Sequence, residues 1–239
     1  MRKILIEFSL KKGILGYMAS LIYYTYGAIK SGTKLKFGAM QAYNRQGFDI
    51  VRGVDTFETL TTEKEYSKNI NSPDITQAVN ATSDKVERIK ESVLYILNTN
   101  ISTENTTFID FGCGKGRSLI VSHDLGFKSL IGIELSPYIL DICRKNLEKL
   151  KIECNLINES ISKVDYKAIN FPKDNILIYA YNPTSMDILT KSINKLLVSQ
   201  PEKEVFLIYT NPKGLIQNDV IEQIQLIREE HKINIYKCN

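Results

Sequence analysis

Thr106-Thr107-Phe108-Ile109-Asp110-Phe111-Gly112-Cys113-Gly114-Lys115-Gly116-Arg117 decides the fold of this chain. An apolar run of β-branched and aromatic residues ends on an acid, and glycine then occupies every second position at 112, 114 and 116. The run reads as a buried strand. The glycines read as a turn that adopts positive φ and lets a ligand approach the backbone, and a helix is expected to follow. Eighteen residues after Gly116, Glu134 closes a second apolar run, Leu130-Ile131-Gly132-Ile133-Glu134. Two strands of a parallel sheet, each ending on an acid, place those acids on one edge of the sheet, where such folds bind nucleosides.

The glycine spacing narrows the ligand. A dinucleotide fingerprint is Gly-x-Gly-x-x-Gly, and counted from Gly112 its third glycine falls on position 117, which is Arg117. That fingerprint seats a pyrophosphate on a helix N-terminus. S-adenosylmethionine has no phosphate and carries a sulfonium cation, so Gly-x-Gly-x-Gly preceded by an acid suits it better. A carboxylate at Glu134 can accept hydrogen bonds from both ribose hydroxyls. Ser136-Pro137 comes directly after and is a good helix start.

Outward from this centre, strands and helices alternate, as in a parallel α/β sheet. Strands are expected near 106–112, 129–134, 153–158, 175–181 and 204–210, with helices near 116–125, 137–150 and 184–198. Residues 225–230 and 231–238 read as a closing hairpin. Upstream, Thr82-Ser83-Asp84 opens an amphipathic helix to about Asn98, with Val86, Ile89, Val93, Ile96 and Leu97 as its apolar stripe. Residues 31–80 are irregular and rich in Gly, Thr, Asn and Asp. The chain is therefore divided into a basic helical or irregular extension over 1–80 and a catalytic domain over 81–239.

With these motifs in register, residues from about 106 to 238 resemble the class I S-adenosylmethionine-dependent methyltransferases. The resemblance implies a Rossmann-like, mostly parallel seven-stranded sheet with an antiparallel last strand. It also implies roles. Asp110, Gly112, Cys113, Gly114 and Gly116 would line the methionine and ribose portion of S-adenosyl-L-methionine, and Glu134 would hold the ribose. Family members usually carry Gly-Asp-Ala after the third strand, with the acid near the adenine amine. The matching residues here are Asn158-Glu159-Ser160, which assigns Glu159 to that place. Asn182-Pro183, after the fourth apolar run, resembles the Asn/Asp-Pro motif of methyltransferases that act on nitrogen, so Asn182 is the candidate catalytic residue. An amide oxygen there can accept from an amine and aim its lone pair, and Tyr181 can add an aromatic wall. A simple chain reversal explains Asn182-Pro183 as well, and it is the better explanation of Asn211-Pro212. Residues 48–56, Phe-Asp-Ile-Val-Arg-Gly-Val-Asp-Thr, together with the glycine loop and Tyr-Asn-Pro, resemble a group of poorly characterised bacterial class I methyltransferases. More remotely they resemble protein-lysine methyltransferases with a hydrophobic N-terminal segment. From position alone, residues 52–56 are expected to form a lid over the cofactor.

Charge is unevenly spread. The chain carries +4 overall, but residues 1–54 hold nine Lys/Arg against Glu7 and Asp49, so the basic character belongs to the N-terminal arm. Such an arm suits a polyanion, whether a membrane surface, a nucleic acid or an acidic glycan, or is simply solvated. Residues 13–29 carry no charge, include four tyrosines and lie between Lys11-Lys12 and Lys30. They fit a helix at a membrane interface or one that packs on its own domain, and they are somewhat short to span a bilayer. Peripheral membrane contact through residues 1–36 is thus one expectation. The four cysteines form no Cys-x-x-Cys pair and have no nearby histidine, so no metal site is expected and a reducing, cytoplasmic setting is the default. The expected function is methyl transfer to nitrogen or oxygen of a protein, such as a lysine, or of a small molecule. A nucleic-acid methyltransferase gripping through the arm is less favoured, because the arm's tyrosines are not interleaved with its lysines. A non-catalytic cofactor-binding or membrane-associated module is the third alternative.

Overall fold

The apolar runs hydrogen-bond into one seven-stranded sheet in a computed structural model that describes residues 18, 47–57, 84–99, 101–216 and 224–238. In chain order the elements are α1 (Phe48–Arg52), α2 (Val86–Leu97), β1 (Thr106–Phe111), α3 (Arg117–Asp124), β2 (Ser129–Glu134), α4 (Pro137–Lys149), β3 (Asn155–Asn158), β4 (Asn175–Tyr181), α5 (Met186–Ser199), β5 (Glu204–Thr210), β6 (Ile224–Glu230) and β7 (Ile233–Cys238). The sheet order is β3-β2-β1-β4-β5-β7-β6. β7 runs antiparallel to both β5 and β6, and the other described pairings are parallel. This is the Rossmann-like, mostly parallel seven-stranded sheet with an antiparallel last strand expected from the sequence, including its closing hairpin.

Alternation along each strand builds two cores. Phe108, Leu130, Leu177, Tyr179 and Phe206 face one side, where they pack with Val86, Ile89, Leu119 and Leu140 of α2, α3 and α4. Ile109, Phe111, Ile131, Ile178 and Leu207 face the other side, toward Leu189 and Ile193 of α5. β1 and β4 are buried along nearly their whole length because helices cover both faces, as parallel sheets require. Phe48 of α1 is fully buried in the first core, so part of the segment ahead of residue 80 packs into this domain.

Element ends depart from expectation for local reasons. β3 starts at Asn155 rather than 153, because Lys151 turns left-handed at φ 56° and the Ile152 N–H bonds back to the Leu147 carbonyl. α2 starts at Val86, and its N-cap Lys85 makes no side-chain cap. Asp84, expected at the helix opening, instead accepts from the Lys85 N–H, from Arg88 and from the buried Tyr179 hydroxyl. α4 begins as its sequence predicts, with Pro137 in the first turn and the Ser136 hydroxyl accepting from the Ile139 N–H. Among the described residues no helix is long and apolar enough to cross a membrane. The expectation for residues 13–29 lies outside the described residues, apart from Met18.

Candidate cofactor and acceptor site

The sheet order reverses between β1 and β4, since β1 leads outward to β2 and the chain later returns to β4 on its other side. A crevice opens at such a switch point, beyond the carboxyl ends of the strands. The glycine loop leaves β1 at this place and Asn182-Pro183 leaves β4 beside it.

All three loop glycines adopt positive φ, at 81° for Gly112, 53° for Gly114 and 89° for Gly116. Gly112 is needed for packing, because a Cβ there would stand 2.9 Å from the Cβ of Pro183. Gly114 is different. A Cβ there would meet nothing within 4 Å among the described residues, so among these the backbone faces open space that a ligand can enter. The loop is pinned to the neighbouring strand by the Gly112 and Cys113 N–H groups, both donating to the Ile133 carbonyl at 2.9 Å.

Glu134, at the end of β2, reaches this loop. Its carboxylate accepts from the Gly114 N–H at 3.1 Å and from the Ser136 N–H at 2.9 Å, and the residue is buried. Asp110, near the end of β1, is buried beside it and accepts from the Ser118 hydroxyl. Burial pushes the Asp110 carboxyl up to about 7; the Ser118 hydrogen bond pulls it down and the Glu134 charge pushes it further up. Two carboxyls thus converge where a cation would relieve their mutual repulsion. S-adenosylmethionine carries a sulfonium and an ammonium, and both this donor set and the open face of Gly114 fit it. Cys113 is no nucleophile: the adjacent Cys143 thiol, then burial, push it well above the ordinary thiol range.

Asn158 pairs with Glu134 in the sheet register, and its side-chain amide donates to the Glu134 and Leu135 carbonyls at 2.9 and 3.0 Å. Glu159 follows it, half-buried, and its carboxylate accepts from the Ser160 N–H at 2.7 Å. The sequence reading missed Ser118 and Asn158. Ser118 carried a faint signal, a small hydroxyl in the first turn after the glycines. Asn158 carried none, because its partners are backbone carbonyls 23 and 24 residues away.

At the end of β4, the candidate catalytic Asn182 adopts φ 42°. Its side-chain oxygen is buried and has no hydrogen-bond partner among the described residues. Leaving a buried acceptor without a donor costs ~1–3 kcal/mol. Tyr181 is half-buried beside it. Asn211, after β5, repeats the left-handed turn at φ 50°, and its N–H donates to the Lys232 carbonyl at 2.8 Å. Residues 52–56, expected as a lid, are tied to the glycine loop, α3 and α4: Arg52 bonds Asp124, Asp55 bonds Lys115 and Asn146, and Thr56 accepts from Arg117.

Residues 108–197 match the family model described as "Methyltransferase domain". The ribosomal protein L11 methyltransferase of Cupriavidus metallidurans is 34% identical over 64 residues, covering 26% of this chain and 21% of that protein. The Aquifex aeolicus ribosomal protein L11 methyltransferase is 33% identical over 94 residues, 37% of this chain and 36% of that protein. The chain therefore spans about a fifth of the length of the first of these relatives and about a third of the second. Among solved structures, the putative methyltransferase yhhF from Escherichia coli aligns with a TM-score of 0.49 at 19% identity, over 64% of this chain and 85% of that one.

Proposed function

We propose, from the premise that residues 106–238 form a class I S-adenosylmethionine-dependent methyltransferase domain, that this chain transfers a methyl group to a nitrogen acceptor, with a protein lysine as the favoured substrate. The observation that carries the nitrogen is the buried Asn182 side-chain oxygen, which has no donor among the described residues. An acceptor N–H entering at the end of β4 supplies that donor.

The cofactor, when bound, supplies a methyl group on a good leaving group, so the protein's part is alignment and exclusion of water. Gly114 leaves the space, Glu134 offers carboxylate oxygens to the ribose hydroxyls, and Asp110 faces the cationic end. Glu159, at the position of the family's acid after the third strand, takes the adenine amine in this reading. Asn182 accepts a hydrogen bond from the amine and directs its lone pair toward the crevice, while Tyr181 forms a wall suited to the methylated cation. A lysine acceptor must first lose a proton, and desolvation on entry lowers its pKa in that direction.

The protein acceptor is supported by the L11 methyltransferase similarity. The test is incubation of the purified chain with methyl-labelled cofactor and fractionated lysate. Label on protein, released as methyl-lysine after hydrolysis, supports the reading. Label in nucleic acid moves the assignment to the alternative in which the basic arm grips a polyanion. Absence of label from every fraction, with cofactor still bound, favours a non-catalytic module.

A further inference from the structure

The glycine loop carries a difficulty that the crevice chemistry makes plain. Lys115 sits between two of its glycines and Arg117 follows the last, so two cations flank a place proposed to receive a cation. Both side chains are drawn away and neutralised by the segment before the domain. Lys115 donates to both oxygens of Asp55 at 3.0 Å, and Arg117 donates to Asp49 at 3.2 Å and to the Thr56 hydroxyl at 2.8 Å.

The segment is shaped for this task. Asp49 accepts from the Thr56 and Phe57 N–H groups at 2.6 and 2.8 Å, which folds residues 53–57 back over α1. Gly53 makes the reversal at φ 65°. Asn146 of α4 then locks the arrangement. Its amide accepts from the Asp55 N–H at 3.0 Å and donates to the Asp55 carbonyl at 2.8 Å and the Lys115 carbonyl at 3.0 Å. One carboxamide thereby joins the upstream segment to the glycine loop.

We propose that residues 47–57 are a working part of the cofactor site, in which Asp55 and Asp49 neutralise and position Lys115 and Arg117 so that the loop accepts a cationic ligand. This inference rests on the cofactor assignment above. With both pairs formed, Asp110 and Glu134 set the sign of the crevice; with Asp55 neutral, the buried Lys115 ammonium is uncompensated and opposes the sulfonium. Asp55 and Asp49 are positioning residues, since they act through the loop.

The experiment compares the full chain with its Asp55→Asn variant, titrating S-adenosylmethionine and its neutral-sulfur counterpart S-adenosylhomocysteine at low and high salt. Asp55 is more than half exposed in its side chain, so the substitution leaves the core intact, and thermal melting checks this. The Asp55→Asn change is expected to weaken the sulfonium ligand about 3- to 10-fold and the homocysteine ligand less than about 2-fold, with the gap closing at high salt. The Lys115→Met, Asp55→Asn double variant is expected to restore the ratio, because the uncompensated charge is gone. Cofactor is also expected to slow hydrogen exchange at the Thr56 and Phe57 amides, by reciprocity of linked equilibria. Equal weakening of both ligands, or unchanged affinity with unchanged exchange, overturns the inference while leaving the cofactor assignment standing. Failure of the unmodified chain to bind either ligand overturns the cofactor assignment itself.

Discussion

The two turns that meet at the switch point are built on opposite terms. The glycine loop after β1 is braced from every side: Ile133 holds its amides, Glu134 caps Gly114, Asn146 takes the Lys115 carbonyl, and two aspartates hold its cations. The turn after β4 has a non-glycine residue at positive φ and a buried oxygen with no donor among the described residues. The first turn is complete before any ligand arrives; the second lacks a donor for its Asn182 oxygen among the described residues. If the turn after β4 receives the methyl acceptor, as proposed, the cofactor side is preorganised while the acceptor side keeps a buried oxygen for its substrate to satisfy.

The bracing is tested most severely at Arg117. Replacing Arg117 with Met leaves the Asp49 carboxylate buried without its cation, and unfolding stability in urea is expected to fall by roughly 3–5 kcal/mol. A loss below about 1 kcal/mol would mean that the loop stands without the upstream segment.

Asp110 offers the next largest effect. Its folded pKa of about 7 lies above its ordinary 3.8, so the folded state binds the proton more tightly than the unfolded chain. Its contribution to stability is full below pH ~4 and is lost as pH rises through ~7. Asp110→Asn is expected to remove that decline and, at pH 8, to stabilise the ligand-free protein by on the order of 3 kcal/mol while weakening cofactor binding. Cofactor affinity of the unmodified chain is expected to rise between pH ~6 and ~7.5 with proton release, read by calorimetry in buffers of different ionisation enthalpy. Parallel pH–stability curves for the two proteins would remove Asp110 from this account.

Glu134→Ala is expected to weaken the cofactor by roughly 1.5–3 kcal/mol, the scale of charge-assisted hydrogen bonds. Unchanged affinity would release Glu134 from the ribose role.

The two Asn-Pro turns give the finest comparison. Asn182→Gly keeps a left-handed backbone and removes only the amide, so cofactor affinity is expected to hold while kcat falls by about 10-fold or more. Asn211→Gly, at the matching turn of β5, is expected to change stability by less than ~1 kcal/mol and leave turnover alone. If both variants behave alike, Asn182 is a turn residue and the distinction between the two sides disappears.

What the chain's own order determined is the part governed by local rules. Alternating apolar runs, glycines that must take positive φ, Ser136-Pro137 at a helix start and an acid closing each of two strands made the sheet and its cofactor edge legible. These features depend on backbone conformation and period, which neighbouring residues set. Tertiary structure decided what depends on distant partners. Asp84 looks like a helix opener until Tyr179, 95 residues away, claims its carboxylate. Residues 52–56 are held by Lys115, Arg117 and Asn146, which lie 60 to 91 residues away along the chain. Asn182 and Asn211 share the Asn-Pro pattern along the chain, and only packing leaves the Asn182 oxygen buried without a donor among the described residues. Charge neutralisation and hydrogen-bond satisfaction are settled by what lies across space, and a linear pattern does not encode that.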